Sequence, residues 1–285
     1  MTFTRSPSSL FSYNKFYGVD VVVYCEGGAS ITMDLVLSGA GGEGTPDTFY
    51  WSQFLGMISS GKTFHVKSVG SKPNLLLIAE QVINSDVKTA SVCMDRDYAD
   101  INGGSICHSR VVYTQGYSWE NDVLNLEIVK DFLMDYIGAG TEYENAAQNL
   151  TSAYMEVDKE LCTPIKCDAA RIKSGFSGIF NRQKPNCHID FSSEPVLKIP
   201  EIFSKCGGID VNGMGHLNIQ PVKQCFGHLF AIYIYHKAVY FIRQVFKSFK
   251  ISYEHFIRNV TSKTFKLARV EGDMHNYVMS CQGAL

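Results

Sequence analysis

Several features that mark other classes of protein are missing from this sequence of 285 residues. The sequence contains no uncharged apolar stretch of about 18 residues, the length that suggests a membrane helix. The most apolar window, Phe226 to Phe246, is interrupted by His228, His236, Lys237 and Arg243. The N-terminal segment has neither a continuous apolar core nor a small-residue cleavage pattern, which argues against export. These absences predict a globular protein of the cytoplasm without a membrane span.

Two binding motifs are also missing. The nine cysteines are odd in number and dispersed, and no two of them have Cys-x-x-Cys spacing, so reduced thiols are expected rather than a disulfide framework or a typical zinc site. Cys162, Cys167, Cys187 and His188 are the zinc alternative, and core or surface thiols are the favoured interpretation. The stretch GAGGEG lacks the Gly-Lys-Ser/Thr ending of a phosphate-binding loop, which argues against an ATPase.

What is present is an ordinary globular composition with an uneven distribution of charge. Hydrophobic residues make up 45% of the chain and charged residues 19%. Residues 1–135 carry 9 Lys and Arg against 15 Asp and Glu, whereas residues 221–269 carry 9 against the single acid Glu254. An acidic first half and a basic tail suit a protein that binds a polyphosphate chain, with two ordinary solvated faces as the alternative.

Short β-branched runs alternate with helical patterns in the first half. The expected strands are Val19 to Tyr24, Thr63 to Val69, Thr89 to Met94 and Arg110 to Tyr113. The expected buried helical positions are Tyr50, Phe54, Met57 and Ile58, then Leu75, Ile78, Ala79 and Val82. This alternation predicts an α/β fold with a parallel sheet and flanking helices, followed by a mainly α-helical second half. All strand carboxyl ends should then lie at one sheet edge.

The GAGTEYEN stretch indicates a boundary, so we predict a catalytic domain over residues 1–140 and a helical domain over residues 141–285. One apolar helix is expected to complete the first domain near Gly138. Two helices are expected to close the chain. The glycine-rich segment from Gly27 to Asp47 is long for a strand-to-helix connection and predicts a small hairpin or a mobile loop.

Acidic residues follow two of the predicted strands. Glu26 and two glycines end VVVYCEGG, and Asp95 and Asp97 follow the strand in SVCMDRDYAD. Since residues i and i+2 of a strand point to the same side, both aspartates are expected to point toward one place. Three converging carboxylates repel one another unless a cation is present, and an all-oxygen set suits Mg²⁺ or Mn²⁺.

Two further segments belong to this hypothesis. Glu120 and Asp122 lie at the start of a helix in YSWEND, and Glu120 is the better candidate to bind the metal or to support a ligand. Lys72, after the KSVGSK turn, is a candidate phosphate contact, with a solvated lysine as an equal alternative. Lys67 is a weaker candidate for the same role.

The motifs VVVYCEGG, SVCMDRDYAD and YSWEND together resemble the Toprim family of topoisomerases, primases and OLD-like nucleases. The resemblance covers residues 19–137 and departs from many relatives in the glycine-rich excursion after Glu26. Asp34 and Asp47 are therefore both possible equivalents of the next conserved acid of the family.

Within that family, the layout is most similar to AriB-type effector nucleases of the PARIS anti-phage systems. The resemblance implies that Asp95 and Asp97 bind Mg²⁺, with Glu26 as general acid/base or an additional ligand. It further implies a toxic endoribonuclease, released from an AriA-like ATPase sensor to cleave host tRNA, active as a homodimer.

Basic residues recur near the end of the chain. His236, Tyr240, Arg243, Lys247 and Lys250 are spaced as one continuous stripe of the expected penultimate helix. His255, Arg258, Lys266 and Arg269 continue the trend on the expected last helix. We predict that Arg243, Lys247, Lys250, Arg258 and Lys266 contact nucleic acid or an acidic partner, with a plain solvated face as the alternative.

Three other functions stay open at this point. The first is a non-catalytic partner-binding module with a structural acidic cluster. The second is a DNA-directed Toprim nuclease, and the third is a fragment of a topoisomerase or primase. The last is disfavoured because no tyrosine-bearing strand-passage domain or zinc ribbon is evident.

Overall fold

The structure is a computed structural model that describes residues 12–58, 61–211, 214 and 218–282. The chain divides into two compact units. The sheet unit comprises Met1–Asp95, Ile106–Thr114 and Phe265–Leu285, and the helical unit comprises Arg96–Ser105 and Gln115–Thr264. Residue 140, the predicted end of the catalytic domain, lies inside the helical unit. The predicted domains, residues 1–140 and 141–285, stay a prediction.

The bounds of the elements are as follows. The helices are α1 Tyr13–Tyr17, α2 Met33–Leu37, α3 Pro46–Met57, α4 Lys72–Asn84, α5 Ala99–Asn102, α6 Trp119–Val123, α7 Leu126–Ile137, α8 Thr141–Glu160, α9 Cys162–Lys173, α10 Ile199–Ser204, α11 Pro221–Gln224, α12 Gly227–Val245, α13 Tyr253–Ala268 and α14 Asp273–Ser280. The strands are β1 Val21–Cys25, β2 Phe64–Ser68, β3 Ala90–Met94, β4 Val111–Tyr113, β5 Ile189–Asp190 and β6 Val196–Leu197.

The sheet unit contains a four-stranded parallel sheet in the order β2-β1-β3-β4. All residues of β1 and β3 are buried, as expected for central strands covered on both faces. Thus the α/β class, the parallel sheet and all four predicted strands are confirmed. Parallel pairing places the ends of β1 and β3 side by side, with Cys25 opposite Cys93.

Two helices supply most of the cover of the sheet. The predicted buried positions of α4 share a core with Val22 and Tyr24 of β1, which confirms its helical periodicity. Helix α3 buries Tyr50, Trp51 and Phe54. The Phe54 ring packs against Tyr277 of α14, with ring centroids 6.0 Å apart.

The segment from Gly27 to Asp47 contains a short helix, α2, and not a hairpin. It is tied to the rest of the sheet unit by side chains. Tyr13 donates from its hydroxyl to Leu37 O (2.7 Å), and Asn74 Nδ2 donates to Ile31 O (2.6 Å). The segment is therefore anchored at both ends of α2.

Lys67 provides a third anchor for this segment. Its side chain is buried, and its ammonium donates to the Tyr17 hydroxyl (2.7 Å) and to the Gly39 carbonyl. The ammonium thus already has two half-buried acceptors, and the weaker prediction that Lys67 contacts phosphate stays a prediction.

The helical unit confirms a mainly α-helical second half, with two corrections. The apolar helix expected before Gly138 is two helices, α6 and α7, because the Asn125 side chain caps α7 by accepting from Glu127 N (2.9 Å). The chain also closes with three long or moderate helices, α12 to α14, rather than two. None of the helices in the described ranges has the length and hydropathy needed to cross a membrane.

An ion pair between the buried Asp168 and the half-buried Arg182 connects α5, α9 and the segment after α9 within the helical unit. The Asp168 carboxylate has no exposed surface and accepts from Arg182 Nη2 (2.6 Å), the Tyr98 hydroxyl (2.9 Å) and Phe180 N (3.1 Å). Burial alone would lower the pKa of Arg182, but the hydrogen bonds and charge of Asp168 outweigh it and raise that pKa. Arg182 is therefore a guanidinium cation in the folded protein.

His188 gives the helical unit a pH-dependent stability. It is buried, and its Nε2 accepts from Asn181 N (2.8 Å), so the neutral ring is the form that fits. Burial, with a further contribution from Lys205, lowers its pKa to about 4. The unfolded chain therefore binds more protons than the native chain between that value and the ordinary pKa of about 6.5.

We expect stability to fall as the pH is lowered through this window, and His188→Gln should remove part of that fall. Glutamine keeps an acceptor for Asn181 N–H but does not titrate. Urea unfolding at pH 7 and pH 5 should show a loss that is about 1–2 kcal/mol larger for the natural chain than for the variant. Equal losses in the two chains would contradict the assignment of a neutral buried histidine.

Candidate functional site

The end of β1 sets the position of Glu26. After Cys25 the chain leaves the sheet, and Gly27 and Gly70 exchange two backbone hydrogen bonds of 2.9 and 3.0 Å. Both glycines have positive φ, +98° and +90°. This connection holds the half-buried Glu26 at the carboxyl edge of the sheet, which is where open α/β sheets bind ligands.

Glu26 and Lys72 converge on the peptide groups of Asp95. Glu26 Oε1 accepts from the backbone N–H of Asp95 (3.1 Å), and Lys72 Nζ donates to the backbone oxygen of Asp95 (2.7 Å). The structure thus brings together three of the residues predicted from the sequence. They place one cation and two carboxylate side chains at the same sheet edge.

Asp47 is a fourth charged residue of this edge. It lies in the first turn of α3, beside Gly27, where a Cβ would come within 2.2 Å of Asp47 Oδ2. Of the two alternatives for the next acid of the motif, Asp47 is the one that lies against Gly27, whereas Asp34 is exposed on α2. The Thr45-Pro46-Asp47 sequence is typical of a helix start and could have indicated the position of Asp47.

The pKa of the Cys25 thiol is raised by its burial and by the acidic residues of this edge. Burial raises its pKa well above the ordinary value, and Asp47, Cys93, Asp95 and Glu26 raise it further. Cys25 is therefore a neutral thiol, and its side chain is part of the buried strand. The edge residues that carry charge are Glu26, Asp47, Asp95 and Lys72.

Gly27→Ala should disturb the edge more than most surface substitutions. The new methyl group would meet the Asp47 carboxylate, and alanine is strained at a φ of +98°. We expect a loss of about 1–3 kcal/mol in unfolding free energy. Gly56→Ala is the matched control, because nothing lies within 4 Å of that position inside α3, and it should be neutral or stabilising by about 1 kcal/mol.

Adding Asp47→Ala to Gly27→Ala separates the two causes of that loss. Removing the carboxylate relieves the clash but not the backbone strain, so the double variant should recover part of the stability. No recovery would show that the Asp47 side chain is not held against Gly27.

Asp97 does not follow the geometry expected from strand alternation. Strand β3 ends at Met94, so Asp95 and Asp97 both lie beyond it. Asp97 has a φ of +50°, unusual for a residue other than glycine, and donates from its backbone N–H to Tyr117 O (2.7 Å) in the helical unit. The two aspartates therefore do not share a side through strand periodicity, which corrects the reason given for their convergence.

Glu120 lies in the first turn of α6, as predicted, and its carboxylate is buried. Oε2 accepts from Ser118 Oγ (2.6 Å), and Oε1 lies 2.9 Å from Nδ1 of the largely exposed His228. Sequence reasoning did not identify His228 as a partner of Glu120, because the two residues lie 108 positions apart. Asp122 accepts from the backbone N–H groups of Gln115 (2.9 Å) and Gly116 (2.6 Å) and so fixes the loop before α6.

The basic residues near the end of the chain do not form one helical stripe. Helix α12 ends at Val245, so Lys247 and Lys250 lie beyond it, and Arg243 Nε donates to Phe249 O (3.0 Å) in the turn that follows. Arg269 likewise follows the end of α13, and Arg258 pairs with Glu254 (3.1 Å). Lys266 is exposed on α13. The nucleic-acid or partner contacts proposed for these residues stay predictions.

The oxygen donors at the sheet edge fit a hard divalent cation in chemistry. Among residues 12–58, 61–211, 214 and 218–282, however, no group of three or more His, Cys, Asp or Glu side chains is arranged to hold a metal ion. Mg²⁺ can be bound by one or two carboxylates when water and substrate phosphate complete its shell. The edge fits such an open site, and coordination by Glu26, Asp95, Asp97 and Glu120 stays a prediction.

Comparisons with known proteins add no family to this description. No protein-family model matches the chain, and no curated protein sequence matches it. The Toprim resemblance therefore depends on the sequence motifs alone and stays a prediction.

Proposed function

We propose that this chain is a Mg²⁺-dependent Toprim endonuclease that cleaves phosphodiester bonds at the carboxyl edge of its parallel sheet. The observation that carries this proposal is the convergence of Glu26 and Lys72 on Asp95. A strand-end glutamate and an aspartate that follows the neighbouring strand can serve metal binding and acid/base chemistry, and a lysine adds positive charge for a phosphate. Mn²⁺ would satisfy the same oxygen donors.

Each of these side chains has a role in the proposed reaction. The bound metal would neutralise the charge of the phosphate. Asp95 offers its carboxylate as a ligand while its peptide is held by Glu26 and Lys72. Glu26 lies beside Asp95 and would accept or deliver a proton at a phosphate bound there, as a general acid/base must. Lys72 adds a positive charge that favours a bound phosphate oxygen.

The biological setting of the proposal follows from the family resemblance. We propose a toxic effector of an AriB-type PARIS anti-phage system, which is restrained by an AriA-like ATPase sensor in the cytoplasm. After release it would cleave host tRNA as a homodimer. Its cellular toxicity should then require the same sheet-edge residues as its cleavage of RNA.

Incubation of the purified chain with three separate substrates tests the reaction and its target. These are tRNA, single-stranded DNA and supercoiled plasmid, each with millimolar Mg²⁺ and each with EDTA. We expect cleavage of tRNA that EDTA abolishes. Cleavage of DNA with tRNA spared would overturn the tRNA assignment but support the nuclease, and no cleavage of any substrate would overturn both.

A second function is favoured by one feature of the same edge. The Glu26 carboxylate accepts a backbone hydrogen bond and the Lys72 ammonium donates one, so both side chains help to stabilise the fold. A non-catalytic partner-binding module would need nothing more of them. Under that function neither Mg²⁺ nor Mn²⁺ would bind at millimolar concentration, which calorimetric titration of each metal measures.

A further inference from the structure

A second charged site lies within the helical unit and includes none of the residues of the proposed nuclease chemistry. It is an open pocket of about 940 Å³ next to the segment that follows α9. This volume is in the range of small-molecule and cofactor sites. Its charged lining residues are all cationic, namely Arg171, Arg182 and Lys205.

The three cations are held by the backbone of one short segment. Arg171 Nε donates to Ser177 O (2.7 Å), Arg182 Nη1 to Phe180 O (3.1 Å) and Lys205 Nζ to Ile179 O (3.5 Å). These carbonyl acceptors fix the direction of the side chains without neutralising their charge. The segment between Ser177 and Phe180 therefore gathers positive charge at one place.

Only one of the three cations has its charge balanced by a carboxylate. Arg182 pairs with the buried Asp168, whereas no ion pair is formed by Arg171 or Lys205 with any residue in the described part of the chain. Gly178 permits this close arrangement, because a Cβ there would come within 2.2 Å of Asp168 Oδ1. Two uncompensated cations thus face a pocket with no acidic lining residue, which favours an anion.

An aromatic ring stands beside these cations. Phe176 is 65% exposed and lines the pocket, with the Arg171 guanidinium 5.8 Å from its ring centroid. An exposed phenyl ring has no stabilising role in a core, but it offers a face on which a planar base can stack. Cations and a stacking ring together match the two parts of a nucleotide.

We propose that this pocket binds a nucleoside phosphate, with the phosphate at Arg171 and Lys205 and the base on Phe176. The ligand is either a free nucleotide or one nucleotide unit of a single strand, since both present the same chemistry. This site shares no residue with the proposed nuclease chemistry, so its binding can be tested separately.

Binding measurements in a Glu26→Gln background test the pocket without cleavage of the probe. The probes are a fluorescent 12-nucleotide single-stranded RNA and free AMP as competitor or direct ligand. Phe176→Ala should weaken binding about tenfold, the effect of losing one stacked base. Arg171→Gln and Lys205→Gln should each lower the slope of log affinity against log salt by about 0.7.

Matched controls come from the same unit. Lys173→Gln removes an exposed cation of α9 and Phe203→Ala removes an exposed ring of α10, and neither residue lines the pocket. Both should leave pocket binding unchanged, and unfolding free energies should show that all variants fold.

The outcomes separate the two sources of the ligand. Saturable, Phe176-dependent binding of AMP identifies a free nucleotide, and binding of the 12-mer alone identifies a nucleic-acid strand. Either result supports the site. Equal binding by the pocket variants and their controls would overturn it, as would binding of inorganic phosphate or a phosphopeptide as tight as that of both nucleotide probes.

Discussion

Glu26→Gln should reduce the rate of tRNA cleavage about 100-fold or more while leaving the unfolding free energy within about 1 kcal/mol of the natural chain. Glutamine retains an oxygen that can accept the hydrogen bond from Asp95 N–H (3.1 Å). It loses the negative charge and the ability to carry a proton. The substitution therefore separates the structural work of Glu26 from its proposed chemistry.

Glu80→Gln is the control for this result. Glu80 is exposed on α4 of the same sheet unit, so it should keep both full activity and full stability. Single-turnover cleavage and urea unfolding measure the two quantities on the same preparations. If Glu26→Gln cleaved tRNA as fast as Glu80→Gln, Glu26 would have only its structural role.

Asp168→Asn should lower the unfolding free energy by about 3 kcal/mol. The carboxylate is fully buried and accepts from Arg182, Tyr98 and the Phe180 backbone. An asparagine would leave the Arg182 charge without its counter-ion and would present an amide donor to at least one of these donors. The half-buried guanidinium left without its counter-ion is the main cost.

A double-mutant cycle with Arg182→Gln tests the cause of that loss. If the unpaired guanidinium dominates, the double variant should be less destabilised than the sum of the two single variants by about 1 kcal/mol or more. Glu144→Gln, an exposed position in the first turn of α8, should change stability by less than about 0.5 kcal/mol. Strict additivity in urea unfolding would contradict a direct Asp168–Arg182 pair.

The parallel sheet was predictable from the sequence because burial and strand propensity agree there. The Val21 to Val23 run has no polar face, so it suits only a strand covered on both sides. The pattern of Leu75, Ile78, Ala79 and Val82 has one apolar face and suits a covering helix. Once the strands are parallel, the convergence of Glu26 and Asp95 follows from topology.

The errors arose where tertiary contacts outweigh local periodicity. The spacing of basic residues predicts a stripe as far as Lys250, yet α12 ends at Val245, where side-chain hydrogen bonds hold the turn that follows. Tyr235 donates from its hydroxyl to Ile251 O (2.7 Å), and Arg243 Nε donates to Phe249 O (3.0 Å). No residue in that stretch carries a helix-stop signal, so the sequence alone could not place the end.

The ion-pair partners within the helical unit could not be predicted from the sequence for a related reason. Asp168 and Arg182 are 14 residues apart and have no helical or strand spacing, and His228 is paired with Glu120 across 108 residues. Such partners become evident only when the chain is folded. The direction predicted for Asp97 from strand alternation is wrong, because Asp97 lies beyond β3 and has a left-handed backbone with φ of +50°.

The most direct test of the proposed nuclease is the Mg²⁺ dependence of single-turnover tRNA cleavage by the natural chain, Asp95→Asn and Asp86→Asn. Asp95→Asn removes one carboxylate charge, while its backbone can still bond to Glu26 and Lys72. Asp86 is an exposed aspartate whose positive φ also suits asparagine. We predict saturable cleavage that is lost in EDTA, a half-saturating Mg²⁺ concentration raised about tenfold or more by Asp95→Asn, and no change with Asp86→Asn. Cleavage that persists in EDTA, or superimposable Mg²⁺ curves for all three chains, would contradict a metal-dependent site at this sheet edge.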